Sequence, residues 1–122
     1  MTTFGKIWGM TEPLICTPMF ELHRLHIRPM MRCSLHVHQF KHNAFYILEG
    51  ALYIDAVMSA VVRPPNSEPV QEAFLVANDY FTIAPGVHHQ FRTGEEACVC
   101  LECYYTEPLS EDIIRRNVGG PA

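Results

Sequence analysis

The chain is short of charge, and of positive charge above all. Asp, Glu, Lys and Arg make up 18% of its 122 residues, against 48% hydrophobic. That balance leaves enough apolar surface to offset the entropy of ordering, which excludes a disordered polypeptide. Nine basic residues face thirteen acidic ones, for a formal net charge of −4. No basic stripe is present, so neither nucleic acid nor an anionic membrane has an electrostatic footing. No apolar run approaches the ~20 residues that cross a bilayer as a helix. The opening MTTFGKIWGM lacks the apolar core of a signal peptide, so the expected location is cytoplasmic. Repeats and low-complexity tracts are missing too, and the length suits a single domain over residues 1–122. A domain of this size buries roughly two thirds of its unfolded surface, enough for one core.

A second paired cysteine cluster is also absent. The five cysteines are Cys16, Cys33, Cys98, Cys100 and Cys103. A structural zinc site would need another pair elsewhere, so they read as reduced thiols that pack as small hydrophobes.

What the sequence has is β-periodicity and histidine. Phe20–Ile27 has strand character, with Glu21, His23, Leu25 and Ile27 on one face and Phe20, Leu22, Arg24 and His26 on the other. Both faces are mixed, so the pattern leaves open which is buried. Cys33–His38 and Ala44–Leu48 read as two strands joined by a tight loop, and Gly50 allows a turn or a bulge before Leu52–Val57. The segment Arg63–Pro69 is a Pro-rich surface loop. Tyr80–Ile83, the run through His89 and Phe91, and Ala97–Tyr105 continue the strands, with Thr93–Glu96 as a hairpin turn. Ser110–Arg116 reads as a short helix, with Ser110 as its cap, acids in its first turn and arginines in its last. About nine short strands at regular spacing predict an all-β sandwich or barrel with this C-terminal helix.

There are seven histidines, and three fall within Ser34–Gly50. Alternation places His36 and His38 on one strand face, as two imidazoles at a fixed separation. Imidazole suits zinc, iron, nickel, copper and manganese. A third ligand must come from another strand, and His89, after the turn at Pro85-Gly86, is the candidate. His23 and His26 read as ordinary strand residues.

HVHQFKHNAFYILEG resembles the first cupin motif, and NDYFTIAPGVHHQF resembles the second. The resemblance implies a small antiparallel jelly-roll barrel, a double-stranded β-helix, with His36, His38 and His89 as its metal-binding histidines. The first motif's glutamate falls on Asn43. A narrower likeness covers most of the chain. GKIWGMTEPL, the Arg28–His36 segment and the Pro108–Arg115 tail are similar to the cupin domain of type II mannose-6-phosphate isomerases. Family glycines fall on Met30 and Asn78. Asn78 tolerates the left-handed backbone, and Met30 implies a different turn.

Asn43 is expected to face the pocket, where its amide can bond a metal-bound water or a substrate hydroxyl. Phe45, Ile47 and Phe91 are placed on the barrel lining. Lys41 and Arg92 are candidates to attract phosphate or carboxylate. Glu49 and Glu102, the nearby strand carboxylates, are expected at the surface, and Tyr104 in barrel packing. The leading reading is a metal-binding cupin with an isomerase-like activity on a sugar or sugar phosphate. It would use a divalent zinc, iron, manganese or nickel ion. The alternatives are a non-catalytic module that binds a small ligand and a three-histidine iron dioxygenase. Exposed sheet edges and the apolar N-terminal segment point to a homodimer.

Overall fold

The computed structural model describes residues 4–57, 71–107 and 112–122. Eight strands appear among the described residues: β1 (Phe4–Lys6), β2 (Gly9–Cys16), β3 (Phe20–Ile27), β4 (His42–Val57), β5 (Gln71–Val76), β6 (Tyr80–Ile83), β7 (His88–Arg92) and β8 (Cys98–Tyr105). Every pairing between them is antiparallel. The main path runs β1-β2-β3-β8-β4-β5, with β6 and β7 also paired to β4. No helix of the described residues is long and apolar enough to cross a membrane.

β4 is the spine. The sequence leaves a turn or a bulge open at Gly50; the structure takes the bulge, and one strand runs through and changes partners. Residues 42–50 pair with β8 and β6, whereas residues 51–57 pair with β5 and β7. A bulge between Ile47 and Glu49 and the left-handed Gly50 (φ 80°) make the bend. One extra residue at a bulge bends a strand without breaking its ladder. The core forms inside this bend. It takes Leu25 and Ile27 from β3, Phe45, Ile47, Leu52 and Ile54 from β4, Phe91 from β7, and Cys98 and Cys100 from β8. The ambiguous β3 is thereby settled: Leu25 and Ile27 are 1% and 2% exposed, so their face, with His23, looks inward.

Several sequence expectations are corrected. The segment with His36 and His38 is not a regular strand, and it does not pair with β4. It runs beside β7 through two isolated bridges, Arg32 with Arg92 and His36 with His89. Between these bridges four steps on one side face three on the other. The ladder cannot stay regular across that mismatch. Thr93–Glu96 connects β7, paired to β4, with β8, paired to β3 and β4, so it closes no hairpin. Residues 112–116 form no helix, and Ile113 and Ile114 are 66% and 94% exposed. A helix this short is marginal without an apolar face to pack. Its cap, Ser110, lies outside the described residues, as does the Arg63–Pro69 loop. Met30 makes no different turn in the sense expected: it takes the left-handed conformation itself (φ 57°), as Asn78 does (φ 74°).

Gly50 admits a test of the bend. A β-carbon there would collide with the Ala97 carbonyl of the adjoining β8 approach, at a φ that disfavours any L side chain. Gly50→Ala is expected to destabilise the protein by at least about 2 kcal/mol, measured by urea unfolding.

Candidate metal centre

Two backbone hydrogen bonds tie the histidine segment to β7. The His36 N–H donates to the His89 carbonyl at 3.0 Å, and the His89 N–H donates back at 2.8 Å. The Gly86 N–H donates to the His38 carbonyl at 2.9 Å. Residues 86–89 and 36–38 are thus held side by side. The rings of His36 and His89 lie 4.5 Å apart, those of His36 and His38 5.1 Å, and those of His38 and His89 5.5 Å. One ring nitrogen from each lies within 4.8 Å of the others.

The tautomers follow from the partners. His36 Nδ1 meets the Ser34 carbonyl at 2.8 Å, and His89 Nδ1 meets the Val87 carbonyl at 2.9 Å. A carbonyl only accepts, so each Nδ1 carries the proton and each Nε2 keeps its lone pair. This is how metal-binding imidazoles are commonly oriented. The Nε2 atoms of His38 and His89 are buried with no hydrogen-bond partner. Two orphaned buried nitrogens facing a shared space fit a cation. Burial pushes His89 down to about 4, with the neighbouring His36, His38 and His88 adding to the effect against the Val87 bond. Burial also lowers His38, helped by His36 and Lys41. Both rings are therefore held toward the neutral form that a metal requires.

A cavity of about 250 Å³ opens beside this cluster, and His36 forms part of its wall. Trp8, His23, Phe91, Glu102 and Tyr104 are among its other lining residues. Glu102, expected at the surface, is 7% exposed. It continues the inward face that Cys98 and Cys100 occupy on β8. Burial raises its carboxyl to about 7, against hydrogen bonds from Tyr104 and Asn43 and the charge of Lys6. The period-two signal was present in the sequence, but a carboxylate is ordinarily placed in water. Burial and the adjacent Glu102 also push the Tyr104 hydroxyl up, so it stays protonated and can donate. The Cys33 thiol is raised to about 11 by burial, which keeps it protonated.

The other sequence candidates are placed as follows. Asn43 is 1% exposed and sits behind Glu102; its Nδ2 donates to the Cys103 carbonyl at 3.0 Å and to Glu102 Oε2 at 3.4 Å. Phe45 and Ile47 belong to the core and not to the cavity wall, whereas Phe91 reaches both, packing edge-on to Trp8 at 5.1 Å. Lys41 is half exposed and pairs with Glu21 at 3.3 Å, outside the cavity wall. Arg92 is held by Asp55 at 3.0 Å and lies over the Tyr53 ring. Lys6 is the cation that lines the cavity. His42 stacks on Tyr105 away from the cluster.

A bent antiparallel β-structure with clustered histidines beside a small cavity defines a class. No protein-family model matches the sequence, and no curated protein does. Solved structures do. The cupin domain of Schizosaccharomyces pombe Cnp3 matches with a TM-score of 0.68 at 12% identity, over 84% of this chain and 67% of that one. A cupin-2 domain protein of Shewanella frigidimarina matches at 0.59 and 19% identity, over 82% of each chain. Lactobacillus farciminis oxalate decarboxylase matches at 0.71 and 13% identity, over 89% of this chain and 31% of that one. At such identities the likeness defines the fold, and the fold is that of the cupins.

Glu102 carries a stability signature. Its ordinary value is 4.5 and its folded value about 7, so between these the folded state binds the extra proton. Stability is then greatest below the lower value and falls as pH rises through the window. The fall amounts to on the order of 3 kcal/mol. Glu102→Gln is expected to remove it. Relative to the wild type the variant should gain about 1–3 kcal/mol between about pH 5 and about pH 8, read from urea unfolding at both values.

Proposed function

We propose that the chain is a metal-dependent cupin enzyme with isomerase-like chemistry on a small polar carbonyl compound, a sugar or sugar phosphate. The observation that carries this reading is one cavity lined by both His36 and Glu102. His36, His38 and His89 would hold a divalent zinc, manganese, nickel or iron ion. Such an ion supplies Lewis-acid polarisation of a carbonyl or enediolate oxygen. Glu102 accepts and returns the proton that an aldose–ketose shift moves between adjacent carbons. With its carboxyl near 7, acid and base forms are both populated around neutrality. Asn43 holds the Glu102 oxygen from behind, and Tyr104 presents a protonated hydroxyl beside it. Lys6 offers a cation for a phosphate or carboxylate group of the substrate. Phe91 and Trp8 supply the apolar wall that limits water.

A second reading is a three-histidine iron dioxygenase. Its support is the donor set, which joins three imidazoles and no carboxylate. Metal analysis of protein purified without chelator discriminates. Zinc, manganese or nickel held at the histidine cluster, with aldose–ketose conversion, is the expected result. Iron with oxygen uptake would transfer the assignment to the dioxygenase. Absence of metal would remove both and leave a ligand-binding module without catalysis. His38→Ala is expected to abolish occupancy at the histidine cluster, and an unchanged metal content would refute the ligand assignment.

The reading includes a homodimer formed through sheet edges. β1 ends the strand order, and Phe4 and Ile7 beside it are 50% and 87% exposed. Sedimentation equilibrium should return twice the chain mass; a monomer mass would refute it.

A further inference from the structure

Among the described residues, a second group of metal-type side chains lies outside the histidine cluster, on the β2–β3 hairpin. Cys16 ends β2, and Glu21 and His23 lie near the start of β3. The Thr17 N–H donates to the Phe20 carbonyl at 2.8 Å and closes the turn. The next pair inward, Cys16 opposite Glu21, is then a non-hydrogen-bonded pair, where facing side chains approach most closely. Glu21 and His23 are two apart on one strand and share that face. The Cys16 sulfur, a Glu21 oxygen and a His23 ring nitrogen all lie within 4.8 Å of one another. None of the three belongs to the His36–His38–His89 cluster.

We infer that Cys16, Glu21 and His23 form a second divalent-cation site, suited to zinc, on the β2–β3 hairpin. The donor chemistry selects the ion: thiolate with imidazole and carboxylate favours zinc over magnesium or calcium. Binding expels the thiol proton to solvent as the sulfur–zinc bond forms, and the site charge otherwise balances. His23 Nε2 and Glu21 Oε1 stand 4.0 Å apart, too far for a hydrogen bond, and a small side-chain adjustment brings both to one ion. The other Glu21 oxygen already faces a cation, the Lys41 ammonium at 3.3 Å. Cys16 is exposed, so the remaining coordination position opens to solvent. His23 also lines the cavity that His36 lines, so one ligand of this site borders that cavity.

Cobalt(II) is the probe, because only a thiolate ligand adds a sulfur-to-cobalt charge-transfer band in the near ultraviolet. Wild type should bind about two equivalents and show the band. Cys16→Ser should lose the band and one equivalent, and His38→Ala should lose one equivalent and keep the band. Persistence of the band in His38→Ala supports this site even if the histidine cluster proves empty, so the two assignments fail separately. A wild type without the band, or a band that survives Cys16→Ser, overturns the inference.

Discussion

The site depends on one reciprocal pair of backbone hydrogen bonds, between His36 and His89. Those residues lie more than fifty positions apart, and nothing in their local sequence brings them together. Once the pair forms, the ring positions follow. His36 and His89 each turn Nδ1 back to the carbonyl two residues earlier, at Ser34 and at Val87. Each therefore presents Nε2 forward. The Gly86 bond to the His38 carbonyl brings the third ring alongside. An irregular bridge does this better than a regular ladder. The extra residue between the Arg32 and His36 bridges frees the segment to re-aim its side chains, as bulges do near functional sites.

The second constraint is the pairing of β4 with β8. Asn43 stands opposite Tyr104, and its side chain reaches Glu102. A first cupin motif ordinarily carries glutamate where this chain has Asn43. Here the buried carboxyl sits on the adjoining strand, and the amide at position 43 holds it. The carboxyl faces the cavity but does not join the imidazole cluster. The exchange alters what the site can do. A carboxylate among the ligands would neutralise a cation; Glu102 lines the cavity outside that cluster. Burial outweighs the Lys6 charge and the hydrogen bonds, so the carboxylate form costs stability as pH rises toward neutrality.

Much of the architecture was legible in local pattern. β3, β6, β7 and β8 follow alternation and turn residues, and the two motif segments mark where the histidines stand. At Gly50 the local pattern leaves turn and bulge open, and only the paired neighbours decide for a bend within one continuous strand. The errors share one origin. The sequence from Ser110 to Arg116 has the caps and charges of a helix, but residues 112–116 pack no face against the barrel. Glu102 reads as exposed because glutamate usually is.

The sequence by itself determined the strand periodicity, the low positive charge and the histidines that two motif segments place on strand-like chain. These are properties of neighbours along the chain, set by side-chain alternation and turn chemistry. The tertiary structure alone decided which β3 face is buried, that Glu102 lies inside, that Lys6 and not Lys41 lines the cavity, and that Cys16, Glu21 and His23 come together. Each depends on what another strand lays against the residue, and burial, hydrogen bonding and proton affinity are set by that contact.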